Sequence, residues 1–527
     1  MACMGVFIAY LPVTMVSVSL PAIQQALDAS TAELSWVQDA FVLPMAALIL
    51  TAGVFGDAHG RRKVFLAGLA LCAVGAGVSL TAMSVEVLWA GQALAGLGSA
   101  ALLPTTLALI SQTASDYRER ARFIGFWAMS LLAALSAGPL IAGGILQHAS
   151  WRWIYLVPVP VALVSLVVAV WLLPATPSVQ GRRLDWPGQI TAAVAITALV
   201  YGVIEGGAGS FSDTPVVAAL MVGVASLIAF VLVERRSADA MLDVTLFRSP
   251  GFTATALIAM ISFLALIGFF FVFSLYQGSV QQLTTLQAAC RLFVIPLAAM
   301  VVSGFAGRLM HRVSPRVMIA GGLLVVTASL LLMTSLDADT PFADVTWRLV
   351  VLGLGMGCVI TPMTAVAVAS VPPRQAGMAA AGNNAFRQVG SALGPAVLGV
   401  LLTARALDAL PGHLATAGLT QAQRAGITET ARADGLSAVA EMNLGAASGR
   451  VYGALSASMI DGMRLCLLVA AALTLLAAVC ALLLLPRPRR NPVGGGSGTG
   501  PGEVAGSPTT TPEVVGARQG AALTEQA

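Results

Sequence analysis

Charged side chains are scarce in this chain: Asp, Glu, Lys and Arg make up 10% of its 527 residues, where a soluble domain carries about a quarter. With 57% hydrophobic residues and a mean hydropathy of +0.87, that poverty excludes an ordinary water-soluble globule. Cysteine is confined to Cys3, Cys72, Cys290, Cys358, Cys466 and Cys480, none in a paired ligand spacing, which excludes a disulfide framework and a zinc site. The histidines His59, His148, His311 and His413 fall in separate segments, so no metal centre is expected. No G-x-x-x-x-G-K-[ST] phosphate loop occurs, which removes ATP hydrolysis. No paired-carboxylate or Ser-His-Asp constellation stands at membrane depth either, so the chain reads as a non-enzyme without cofactor or metal. The net charge of +4 is small and its bases are spread, leaving no footprint for nucleic acid. Lysine occurs once, at Lys63, and the preference for arginine, with abundant alanine, reads as coding in a GC-rich bacterial genome.

What the chain has in quantity is apolar runs, each near the roughly 20 residues that cross a bilayer as a helix. They predict an all-α integral membrane protein with fourteen spans, at about 4–24, 35–54, 64–83, 88–112, 123–146, 153–173, 189–206, 214–233, 252–276, 287–307, 317–336, 347–369, 377–403 and 459–485. An even count puts both termini on one side. Arginine settles which: one set of short loops carries Arg61, Arg62, Lys63, Arg118, Arg120, Arg122, Arg182, Arg183, Arg235, Arg236, Arg248, Arg308, Arg312, Arg316 and Arg374, while the other holds essentially Arg152 and Arg348. The positive-inside rule then predicts a multi-pass protein of the bacterial plasma membrane with both termini cytoplasmic. The first run has no basic flank and no small-residue cleavage site, so it is expected to stay as a span. Residues 404–458 are expected to form one long outer segment, in which "LTQAQRAGITETARADGLSAVAE" can make a surface helix. The Gly, Pro, Ser and Thr tract from Pro486 cannot bury a core and is expected to be disordered.

One polar stretch interrupts the greasiness in an organised way. "GVFGDAHGRRK", residues 53–63, joins the second and third runs. Gly56 and Gly60 suit a tight turn between helices, and Asp57 can accept hydrogen bonds from helix N-terminal amides or pair with Arg61. After the tenth run, "GRLMHRVSPR" lies against it with Gly307 on Gly53, His311 on Asp57, Ser314 on Gly60 and Arg316 on Arg62. Two halves with one inner-loop element predict a duplicated bundle of the kind that rocks about a central site.

These residues resemble the major facilitator superfamily, and within it the fourteen-span drug:proton antiporters, over about residues 1–485. The superfamily's loop signature G-x-x-x-D-x-x-G-R-[RK] is matched by Gly53, Asp57, Gly60, Arg61 and Arg62. "SAGPLIAGG" in the fifth span is similar to the antiporter signature, with Gly138, Pro139, Gly143 and Gly144 in place and Ala142 at one usual glycine. "SWRWIYLVPVP", "RRLDWPG" and "RQVGSALG" look like further elements of that branch. The resemblance implies the major facilitator fold, two six-helix bundles plus two extra central helices. The expected layout is a bundle at 1–174, the extra spans and linkers at 175–251, a second bundle at 252–485 and a tail at 486–527. It also implies a latch role for the loop motif and a gating kink at Gly138, Pro139 and Gly143.

The chain departs from that branch at two positions. An acid near the start of the first span is usual, but "LPVTMVSVSLP" puts Pro12 there and Ser17 at the usual asparagine. In the fourth span "QALAG" puts Gln92 in place of an arginine and Ala95 in place of a glutamine. Losing acid and base together leaves neither charge stranded in hydrocarbon. Of the ionisable residues left at membrane depth, Asp39 near the outer end of the second span is the proton-coupling candidate, with Arg291 similarly shallow in the tenth. Arg387 lies about 15 Å into the thirteenth, near the midplane. Gln92, Asn383, Arg387 and Ser391 are expected to form a central polar seam, and Asp39 and Arg387 to face each other between the halves. Glu205 is expected at the outer interface, and Phe269, Phe270, Phe271 and Phe273 in core packing or lipid contact ahead of a cavity wall. Met45, Met129 and Met363 suit either a soft cavity lining or packing. The function expected is secondary active export of amphipathic drugs, antibiotics or secondary metabolites by alternating access, driven by protons. Its partners are a small-molecule substrate, protons and lipid, and it acts as a monomer. Neutral or anionic cargo is favoured because the usual acid is missing. The alternatives are a narrow metabolite exporter or facilitator with altered coupling, and a non-transporting sensor.

Overall fold

The computed structural model describes residues 1–29, 31–113, 117–173, 185–208, 210–237, 240, 242–310, 312–372, 375–433, 435–442 and 447–485. The apolar runs are helical because hydrocarbon offers the backbone no partner, so each N–H and C=O must be satisfied within its own segment. Among the described residues, fourteen helices are long and apolar enough to cross a membrane. They are α1 (Ala2–Leu27), α2 (Thr31–His59), α3 (Arg61–Leu80), α4 (Val85–Thr113), α5 (Tyr117–Leu146), α6 (Pro158–Leu172), α7 (Trp186–Ala208), α8 (Thr214–Arg236), α9 (Pro250–Leu275), α10 (Thr285–Leu309), α11 (Pro315–Met333), α12 (Phe342–Ala369), α13 (Ala376–Thr416) and α16 (Ser448–Leu484). Two shorter helices, α14 (Gln421–Ala433) and α15 (Leu436–Glu441), lie between the last two spans.

Packing repeats across the chain. The contacts of α1 with α5, α2 with α4, α3 with α4 and α3 with α6 recur as α9 with α13, α10 with α12, α11 with α12 and α11 with α16. The halves meet along α5–α10 and α2–α13, the same relation with the halves exchanged. Lipid supplies no hydrophobic drive between helices, so small residues must let backbones close. A Cβ on Gly75 of α3 would lie 2.4 Å from the Ala95 nitrogen of α4, and one on Gly322 of α11 would lie 2.8 Å from the Gly355 oxygen of α12. The pair α7–α8 stands outside this scheme, with α7 against both α2 and α13. Gln189 Nε2 of α7 donates to the Ala47 carbonyl of α2 (3.0 Å), and Trp36 Nε1 of α2 donates to Glu205 Oε1 (3.2 Å). Glu205, expected at the outer interface, thus ties α7 to α2.

The two loop copies differ in length but keep one contact. A single residue separates α2 from α3: Gly60, at φ 97° and ψ 122°, a conformation that favours glycine. Gly56, expected to share the turn, is inside α2, where a Cβ would meet Thr105 at an ordinary 3.5 Å. In the second copy α10 ends at Leu309 and Ser314 caps α11, its Oγ accepting from the Val317 N–H (3.4 Å). Arg62 Nη2 donates to the Val170 carbonyl of α6 (2.6 Å), and Arg316 Nη2 donates to the Leu482 carbonyl of α16. Those are corresponding helices of the two halves. Arg61 Nη1 donates to the Ala108 carbonyl at the end of α4 (3.2 Å). The side chain of Asp57, and His311, lie outside the described residues.

The segment at 404–458 is mostly helix rather than loop. α13 continues to Thr416 and α16 starts at Ser448, and these ends with α14 and α15 enclose a core of Leu410, Leu414, Leu419, Ile427 and Val451. The thirteenth apolar run ends near residue 403 in sequence, yet α13 continues through Pro411 to Thr416. The i, i+3, i+7 spacing of Leu407, Leu410 and Leu414 carries the apolar face past the proline.

Candidate substrate site

Where α1 and α2 of the first half meet α13 of the second, a polar cluster lies in the membrane core. The Tyr10 hydroxyl of α1 donates to Asn384 Oδ1 (3.4 Å) and accepts from Gln388 Nε2 (3.1 Å), both on α13. Gln388 Nε2 also lies 3.7 Å from Met45 Sδ of α2. Four-residue spacing puts Asn384 and Gln388 on one face of α13 and Asn383 and Arg387 on the adjoining one. That second face turns into its own half. Arg387 Nη2 donates to Thr364 Oγ1 of α12, and its guanidinium carbon sits 5.4 Å from the ring centroid of Phe263 on α9. Asn383 Nδ2 donates to the Thr255 carbonyl of α9 (3.1 Å), and the Ser391 hydroxyl donates to the Arg387 carbonyl (2.9 Å). Tyr10 and Arg387 are within electrostatic reach of each other. All these residues are buried; Arg387 is 1% exposed.

The expected seam therefore divides. Asn383, Arg387 and Ser391 stand together, whereas Gln92 belongs to the α2–α4 contact of the first half, where Nε2 donates to the Val37 carbonyl (3.4 Å). Asp39 is 1% exposed, and neither carboxylate oxygen has a hydrogen-bond partner among the described residues. Next to it, Gln38 Oε1 accepts from the Ser17 hydroxyl (3.4 Å), which itself also donates to the Val13 carbonyl (2.8 Å). Asp39 and Arg387 do not pair: Arg387 is turned toward α9 and α12, and Asp39 lies about two helical turns from the Met45–Gln388 contact. Arg291 donates to Gln281 and lies over the Phe342 ring, 5.0 Å from its centroid.

The glycines of the fifth span close two helix contacts. A Cβ on Gly138 would fall 2.2 Å from Thr14 Oγ1 of α1, and one on Gly143 would fall 2.9 Å from the Leu286 Cα of α10. α5 runs as one helix through Pro139. The aromatic run of α9 packs in the core, with Phe269 stacked on Phe273 (5.0 Å) and Phe273 on Tyr276 (5.7 Å). Met45 and Met363 are buried, and Met129 lies 3.5 Å from where a Cβ on Gly304 of α10 would stand.

Sequence reading missed Tyr10, Asn384 and Gln388. The spacing that singled out Asn383 and Arg387 holds equally for Asn384 and Gln388, one residue later; Tyr10 carries no charge and stands two residues before Pro12, where attention falls on the absent acid.

A duplicated helical scaffold with a buried polar cluster across the join of its halves defines a membrane carrier. The family model of the Major Facilitator Superfamily matches residues 2–395, and the chain belongs to that superfamily. Multidrug resistance protein Stp of Mycobacterium tuberculosis is 32% identical over 79% of this chain and 77% of its own length. The tetracenomycin C resistance and export protein of Streptomyces glaucescens is 32% identical over 91% of this chain and 89% of its own. The puromycin resistance protein of Streptomyces alboniger is 33% identical over 76% and 80%. Among solved structures, the human organic anion transporter MFSD10 (TETRAN) aligns with a TM-score of 0.59 at 14% identity, covering 91% of this chain and 97% of its own. A bacterial homologue of the human lysosomal transporter Spinster, inward-facing and unoccupied, aligns with a TM-score of 0.59 at 17% identity, covering 92% and 97%. At those identities the two structures speak to fold alone.

Proposed function

We propose that this protein exports amphipathic small molecules, such as drugs, antibiotics or secondary metabolites, by alternating access, with the proton gradient as the driving force. The observation that carries the reading is the Tyr10–Asn384–Gln388 junction, a buried polar contact between halves at membrane depth. A carrier that rocks must break and remake such a contact, and polar groups freed by that motion can bind cargo. The resistance and export proteins among its relatives support the direction and the cargo class. The arginine-rich loops support a plasma-membrane carrier with both termini in the cytoplasm, and one chain holds both halves, which supports action as a monomer. The shared Arg62 and Arg316 contacts support a latch role for the loop motif, Gly53, Asp57, Gly60, Arg61 and Arg62. The layout at 1–174, 175–251 and 252–485 is supported by the recurrence of helix contacts.

Asp39 is the group we assign to proton uptake, because its carboxylate is buried and neither oxygen has a hydrogen-bond partner among the described residues, and a buried charge without a partner is costly. The test is uptake of a fluorescent panel into inside-out vesicles, with and without an imposed proton gradient. Gradient-driven accumulation abolished by an uncoupler and by Asp39→Asn is the expected result. Equal accumulation without the gradient favours the altered-coupling reading that Pro12 and Gln92 raise.

A further inference from the structure

Arg387 is a full positive charge in the membrane core, and the groups around it do not neutralise it. A guanidinium has five N–H donors. Here one nitrogen donates to Thr364 Oγ1, the face rests on Phe263, the Tyr10 hydroxyl lies close by, and Nε has no hydrogen-bond partner among the described residues. No carboxylate among the described residues pairs with it. A buried charge left in this condition is costly unless something completes it in part of the working cycle. The surroundings set what that something is: Tyr10 adds a hydroxyl close to the guanidinium, Gln388 reaches that same hydroxyl from the adjoining face of α13, Phe263 adds an aromatic face, and the junction opens when the halves separate.

We infer that Arg387, with Tyr10, Gln388 and Thr364, forms an anion subsite, and that the cargo carries a carboxylate or phenolate on an apolar, ring-bearing body. The guanidinium fork matches a carboxylate in two hydrogen bonds, and Phe263 supports the apolar part beneath it. This deepens the export reading and rests on it for direction. An anion leaving a cell that is negative inside also moves with the membrane potential.

The experiment uses the full chain in nanodiscs and in proteoliposomes, with two dyes that share a xanthene core: fluorescein, anionic, and rhodamine 123, cationic. Fluorescence anisotropy is expected to show fluorescein binding at least about tenfold tighter than rhodamine 123. Decanoate should displace it and decyltrimethylammonium should not. Arg387→Gln is expected to weaken fluorescein binding about tenfold or more without weakening that of rhodamine 123, with Arg387→Lys in between. The displacement experiment needs no variant, so it decides even if Arg387→Gln fails to fold. Equal displacement by the two amphiphiles, or wild-type fluorescein affinity in Arg387→Gln, overturns the subsite. If anion binding depends on Arg387 but proteoliposomes move neither dye, export fails and the subsite stands. If rhodamine 123 is exported while fluorescein is neither bound nor moved, export stands and the subsite falls.

Discussion

Replacing Gly143 with valine should drive the C-terminal end of α5 away from the N-terminal end of α10. A Cβ at this position would stand 2.9 Å from the Leu286 Cα, 3.0 Å from the Ala289 Cβ and 3.2 Å from Leu286 Cδ1. Carbon atoms at rest sit about 3.5–4.0 Å apart, so the helices must separate by roughly 0.6–1 Å before the two γ-methyls are counted. One obstacle is backbone and cannot rotate away. Overpacking of this kind costs about 1–3 kcal/mol, and it falls only on states in which these ends are in contact. The equilibrium should therefore move about 5- to 150-fold toward states in which they are parted. Spin labels at the exposed residues His148, beyond α5, and Asp339, between α11 and α12, would report the separation by double electron–electron resonance. Gly144→Val is the control, because a Cβ there meets nothing within 4 Å. A longer distance in Gly143→Val and none in Gly144→Val is the expected pattern. Identical distributions in the two variants would falsify the idea that this glycine sets the closure between halves.

Two further outcomes follow from the loop repeat. Gly60→Val should destabilise the protein by about 1–3 kcal/mol, because a β-branched residue at φ 97° is strained whatever the space around it; the same change at Gly56, helical and in ordinary contact, should cost less in a thermal melt. Arg62→Gln and Arg316→Gln should each lower stability by at least about 0.5–1.5 kcal/mol, since each removes a hydrogen bond to a carbonyl of the corresponding helix. A loss confined to one of them would break the equivalence of the halves.

The scaffold was legible because membranes leave the backbone so few options. Twenty apolar residues in a row are a helix on solvation grounds alone, and fourteen such runs map one for one onto the spans. The repeat was legible even in a degraded copy, because Arg62 and Arg316 still reach for the same neighbour. What sequence could not carry was the direction of side chains around a helix with apolar residues on every side. In α13 two polar pairs, one residue apart, turn to different halves of the molecule; that choice is made by α1, α9 and α12, not by α13. Gln92 joined the expected seam because it replaces the arginine of the fourth-span motif, and a motif position says nothing about which interface this residue faces. The end of α13 was hidden for a different reason: the continuous apolar run stops near residue 403, whereas the helix continues on an amphipathic face held by tertiary packing, through Pro411 to Thr416.

The same distinction between depth and direction governs the two buried charges. If Asp39 and Arg387 formed a pair, removing either would strand the other, and the double variant Asp39→Asn with Arg387→Gln would recover much of the lost stability. The structure has them apart, each with its own surroundings: Asp39 beside the Ser17–Gln38 contact, Arg387 with Thr364 and Phe263. Sites without shared partners add within about 0.3–0.5 kcal/mol. The effects of Asp39→Asn and Arg387→Gln on unfolding free energy should therefore sum in the double variant to within that margin. A coupling energy above about 1 kcal/mol, with the double variant more stable than the sum, would mean that the charges meet in the resting protein. Additivity would instead fit a carrier in which proton and cargo occupy separate places and communicate through the junction between the halves, since Tyr10 and Met45 both touch Gln388 there.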